Sequence, residues 1–133
     1  MSHKEEVDLI RRRSMSMLKH AEICLSSGDY DLACFLAEQA TQLYIKSFIL
    51  EKLGEMPRTH VIRQLLHMIK ELVENEEELE KFVKRNRRLL SALEEAYLAT
   101  RYLFRIYTRE DAEDLISFAK EVIKFVSNLK IKA

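Results

Sequence analysis

Only three residues in this chain of 133 readily break a helix: Gly28, Gly54 and Pro57. A β-sandwich or a doubly wound sheet needs tight turns at close intervals, and such turns draw heavily on glycine and proline. So few of them restrict the chain to long helices joined by few connections. With 33% charged and 47% apolar residues, the composition suits amphipathic helices and is too apolar for a disordered segment. The length fits one domain, residues 1–133, able to bury a core without disulfides or a metal.

Apolar periodicity between the breakers gives five main helices and no sheet. Val7, Ile10, Ser14, Met17, Ala21 and Cys24 recur at three- and four-residue steps, which predicts a helix from Glu5 to Ser26. Gly28 and Asp29 end that helix and start the next, Tyr30 to Leu53. This second helix carries two apolar stripes, one through Leu32, Leu36, Ala40 and Leu43, the other through Ala33, Ala37, Tyr44 and Phe48. Two stripes imply contact over most of its girth, so it is the predicted centre of the bundle.

A third helix is predicted from Thr59 to Val73, with Val61, Leu65, Met68 and Leu72 inward. An acidic run at 74–80 and a basic run at 84–88 follow, read as solvated faces that screen each other, with the acidic end suited to a short helix start. The fourth helix is placed from Asn86 to Ile106, with Leu89, Leu93, Ala96, Thr100 and Leu103 inward. Thr108 and Asp111 form a capping-box pattern that opens the fifth. Its stripe is Ala112, Leu115, Ala119, Val122, Val126 and Leu129.

Lys plus Arg equals Asp plus Glu, 22 each, so any nucleic-acid contact must come from a local patch rather than the overall field. No apolar run approaches the about 18 residues of a membrane span, and the first residues are charged; a cytoplasmic protein is expected, with no membrane contact. In that compartment Cys24 and Cys34 are expected as free thiols, close together in the first helical hairpin.

No glycine-rich phosphate loop, Gly-x-Ser-x-Gly elbow, His-Glu-x-x-His or Cys-x-x-Cys occurs. His60 and His67 share a face of the third helix, but a metal would need ligands from another helix, so neither a metal nor a cofactor is assigned. The arginines are more informative. Tyr97, Arg101 and Arg105 are spaced by four on one helical face, and Arg109 follows. Arginines one turn apart can address successive phosphates while a tyrosine stacks a base. The competing reading is that they pair with glutamates or cover apolar surface with their stems.

Taken in order, several segments resemble the HEPN family: Ser27 to Ala40 (SGDYDLACFLAEQA), Leu43 to Lys46, Leu53-Gly54, Pro57 to His60, Leu93 to Tyr102 (LEEAYLATRY) and Tyr107 to Ala112. The resemblance covers nearly the whole chain. It implies a five-helix up-and-down bundle and a homodimer. It also implies a nucleotidyltransferase-type partner in a toxin–antitoxin-like setting, and a nucleotide or RNA as ligand. The candidate ligand-binding residues are Tyr97, Arg101, Tyr102, Arg105, Arg109, Lys46 and His60. Five aromatics lie outside the main stripes, Tyr97, Tyr102, Phe104, Phe118 and Phe125, more than one small bundle easily hides, so some of them are expected to line a two-fold interface.

Some branches of the family are metal-independent ribonucleases with an Arg-x(4–6)-His motif. Here positions 105–108 read Arg-Ile-Tyr-Thr, and no histidine follows His67. The spacing of Arg13 and His20 fits but lies in the first helix. Arginine stays protonated and cannot exchange a proton near neutral pH, so Arg105 does not replace the histidine. No catalytic residue is assigned, and a non-catalytic nucleotide- and partner-binding module is the leading expectation. A ribonuclease with displaced catalytic groups and a purely structural interaction protein are the alternatives. Leu103 stands where many relatives carry proline, so the fourth helix is expected to continue to Arg105 or Ile106.

Overall fold

The computed structural model describes residues 1–133 and is all-helical. Its elements are α1 (His3–Ser26), α2 (Tyr30–Leu53), α3 (Ile62–Lys70), α4 (Glu76–Arg85), α5 (Arg87–Tyr102) and α6 (Arg109–Ser127). The five expected helices are present, and the acidic–basic segment contributes α4 as a sixth, short one. Gly28 and Gly54 take φ of 81° and 79°, the left-handed conformation that lets the chain turn after α1 and α2. Thr108 and Asp111 form the reciprocal capping box at the start of α6.

Helix α2 is the centre of the bundle. Half of its 24 residues are buried, and it packs against α1, α3, α5 and α6. Its deepest side chains are Ile45 and Ile49, with Ala33, Ala37 and Ala40 allowing the neighbouring helices close approach. The stripe predicted for α6 is buried throughout. The C-terminal strand-like residues are pinned against the α3–α4 connection: Glu74 N donates to Lys130 O at 2.8 Å and Lys132 N donates to Leu72 O at 2.9 Å.

Several faces differ from expectation. In α5 the buried residues are Leu90, Leu93, Ala96 and Ala99, whereas Leu89, Thr100 and Leu103 are exposed. In α3 they are Ile62, Leu65, Leu66 and Ile69, and Met68 is exposed. Each stripe is rotated by about one residue because adjacent apolar pairs fit the period equally well until a partner helix selects one. Leu32 is exposed, and Leu36 and Leu43 are only half-buried. Phe118 lies in the core and Phe125 stacks on Phe82 with ring centroids 4.0 Å apart, so neither is available to an interface. Helix α6 meets α2, α1 and α5 together and absorbs these aromatics.

Helix α5 ends at Tyr102, short of Arg105 and Ile106, and Leu103 is extended (φ −113°, ψ 151°). Tertiary anchoring overrides helix continuation here. The Tyr107 ring is buried and its backbone N–H donates to Asp31 Oδ1 at 2.9 Å, which draws residues 103–106 off the helix towards the base of α2.

Candidate functional site

Phe35, Glu38, Gln42 and Lys46 recur at helical spacing along α2, and Phe35 meets the α5 face that bears Tyr97 and Arg101. The Arg101 guanidinium carbon lies 4.9 Å from the Phe35 ring centre and 5.1 Å from that of Tyr97. The opposing residue His60, just before α3, stacks on Tyr97 with centroids 4.2 Å apart and planes 22° from parallel. Glu94 secures this arrangement. Its carboxylate accepts from the Arg63 backbone N–H at 2.8 Å and from the Arg63 guanidinium at 2.7 Å, so it caps α3 and ties it to α5.

Glu38 is the chemical centre of the seam. It is fully buried, and its two oxygens accept from Gln39 Nε2 at 2.7 Å and Gln42 Nε2 at 2.9 Å. Burial pushes its carboxyl up to about 7; the two amide hydrogen bonds and the charges of Lys46 and Arg101 pull the other way without overcoming desolvation. Burial likewise lowers the Lys46 ammonium, which the Glu38 charge partly restores. The buried carboxylate therefore changes charge near neutral pH, and it feels a cation from each of two helices without forming an ion pair with either.

Of the seven candidate residues, His60, Tyr97 and Arg101 come together at this seam, while Lys46, two turns along α2 from Glu38, bears on it only through its charge. Arg105 does not join them: its guanidinium pairs with Glu95 at 3.0 Å and lies 4.4 Å from the centre of the Tyr107 ring. Because α5 stops at Tyr102, the expected Tyr97–Arg101–Arg105 row is broken after its second member. Arg109 pairs with Glu113 at 2.8 Å within α6, and Tyr102 is 71% exposed at the end of α5. His67 lies among Arg63, Lys70, Glu80 and Lys84, and no group of three or more His, Cys, Asp or Glu that could hold a metal ion converges. Arg13 and His20 are exposed on α1, with the His20 ring bonded to Ser16 O at 2.7 Å.

Glu38, Phe35 and Gln42 were missed in the sequence. The available signal was a carboxylate and an amide embedded between Ala37 and Ala40 on the helix already read as surrounded on most sides. On the His60 side the seam opens to a cleft lined by Glu94 and Glu95, which are paired with Arg63 and Arg105.

A bundle of six helices built around one central helix with a buried carboxylate defines an all-α domain. The sequence profile of the HEPN domain matches residues 7–129, and the chain belongs to the HEPN domain family. A similar solved structure is TT1696 from Thermus thermophilus, with a TM-score of 0.72 and 28% identity, covering 91% of this chain and 95% of that one. Another is ST0689, an archaeal HEPN homologue, with a TM-score of 0.66 and 24% identity over 91% of this chain and 94% of that one; this likeness concerns the fold. No curated protein matches the sequence.

Proposed function

We propose that this HEPN domain is a non-catalytic nucleotide- and partner-binding module whose ligand phosphate is held by Lys46 and Arg101. The observation that carries the reading is the seam itself: the Arg101 guanidinium held against the Phe35 and Tyr97 rings, with the charges of Arg101 and Lys46 both acting on the buried Glu38. The experiment is calorimetric titration of a dinucleoside monophosphate into the wild type and the Lys46→Ala/Arg101→Ala variant. Loss of binding in the variant with unchanged helical content supports the assignment; equal binding refutes it.

The same reading includes a homodimer and a nucleotidyltransferase-type partner in a toxin–antitoxin-like setting. Tyr102, Leu103, Phe104 and Ile106 form a run of exposed large apolar side chains after α5, and such a run favours an interface. Light scattering at micromolar concentration tests the dimer, and co-purification with a nucleotidyltransferase encoded beside this gene tests the partner.

One observation favours a second reading, a ribonuclease with displaced groups: His60 and Arg101 both approach the Tyr97 ring. RNA cleavage in the presence of a chelator, abolished by His60→Ala, would establish it. Intact RNA supports the binding module.

A further inference from the structure

The corner where α4 meets α5 carries five cations in eight residues: Lys81, Lys84, Arg85, Arg87 and Arg88. All five are exposed, and none forms an ion pair. The preceding acidic run, expected from the sequence to screen the basic one, reaches only part of it. Glu77 and Glu80 stand one helical turn before Lys81 and Lys84 on α4 and can screen those two. Arg85, Arg87 and Arg88 have no acidic residue three or four positions away. Of the acidic residues on α4, Glu76 and Glu80 are engaged, both by Lys70 on α3.

The corner is also rigid. Asn86 is buried at the bend, and its side-chain amide donates to Phe82 O at 2.9 Å. The residues from Lys84 to Leu89 line a cleft of about 270 Å³. A cluster of like charges only partly screened by the protein raises the free energy of the unbound state, and an external polyanion relieves it.

We propose that this corner binds the phosphodiester backbone of single-stranded nucleic acid, without reading base sequence. Three of the five cations are arginines, whose planar forks match phosphate oxygens. No aromatic side chain lines the cleft, so bases find no stacking platform and the backbone is the part recognised. An anionic membrane fits less well. A flat surface would also meet the exposed Glu76, Glu77, Glu78 and Glu80, and Leu89 is the one apolar residue in the cleft available as an anchor. A strand a few nucleotides long touches the corner alone. The corner lies about 21 Å along α5 from Arg101, and the proposal does not rest on ligand binding at the seam.

The test is fluorescence anisotropy of labelled twelve-nucleotide uridine RNA and matching thymidine DNA with the full chain, between 50 and 200 mM salt. Both strands should bind at low salt, with a log–log slope of roughly −2 to −3.5, corresponding to three to five phosphates. Arg87→Ala/Arg88→Ala should reduce that slope by about 1.4, and Lys84→Ala/Arg85→Ala should do the same if the first variant fails to fold. Arg12→Ala/Arg13→Ala, a pair on α1 that is also exposed and without ion pairs, should change nothing, and Lys46→Ala/Arg101→Ala should retain the corner's binding. Absence of binding at 50 mM salt, unchanged slopes in the corner variants or equal loss in the α1 variant would overturn the proposal. So would loss in the seam variant alone, or binding confined to phosphatidylserine vesicles.

Discussion

Replacing Glu38 with glutamine is expected to stabilise the protein at alkaline pH and to leave it nearly unchanged in acid. The carboxyl is raised from 4.5 to about 7 because the charged form is buried. For an acid with a raised folded pKa, both states are protonated below 4.5 and no penalty exists. Between 4.5 and 7 the unfolded chain ionises while the folded one does not, so stability falls as pH rises; above 7 the loss is complete. The shift corresponds to about 3 kcal/mol at pH 8. Glutamine keeps the shape, and Gln42 can turn its amide to suit it; one imperfect hydrogen bond would return about 1 kcal/mol. The net gain at pH 8 is therefore about 2–3 kcal/mol, a rise in melting temperature of roughly 10 °C. Urea denaturation followed by circular dichroism at pH 4, 6 and 8 reads this directly, with the midpoint moving at constant slope. A variant destabilised at pH 8, or a difference that is the same at all three pH values, would refute the argument that desolvation dominates at Glu38.

Other expectations follow from burial alone. Ile45→Ala should cost about 2–5 kcal/mol by chemical denaturation, whereas Leu32→Ala, at a site 48% exposed, should cost far less. Tyr107→Phe should be neutral or stabilising by up to about 1 kcal/mol, because the buried hydroxyl has no hydrogen-bond partner; a clear loss would mean that it does. Cys24 and Cys34 are both free, and burial pushes Cys34 up to about 12. Thiol titration should therefore find two reactive groups in denaturant, but Cys34 should be unreactive in native protein at pH 8.

Helix ends marked by local chemistry were legible in the sequence. Gly28, Gly54 and the Thr108–Asp111 pair act through their own backbone, whatever packs around them. The centrality of α2 was also legible, because two apolar stripes require two sets of neighbours. What depended on a distant partner was not. Leu89 and Leu90 are equivalent until α2 chooses between them, and Phe118 looked surplus until three helices closed over α6. Arg105 left its row because Asp31, on another helix, holds Tyr107. At the seam, Tyr97 and Arg101 were visible as a helical pair. Their meeting with His60 on a separate element was available only as a family resemblance, and Glu38 is marked in the sequence only by its place between Ala37 and Ala40.

In the proposed function, Lys46 and Arg101 bind an anion in competition with the charge on Glu38. A dinucleoside monophosphate is a suitable probe because its phosphodiester keeps a constant charge between pH 6 and 8. Calorimetry should show affinity about tenfold higher at pH 6 than at pH 8, a flat profile in Glu38→Gln and no binding in Lys46→Ala/Arg101→Ala. Affinity that is unaffected by the double substitution, or that rises with pH, would contradict it.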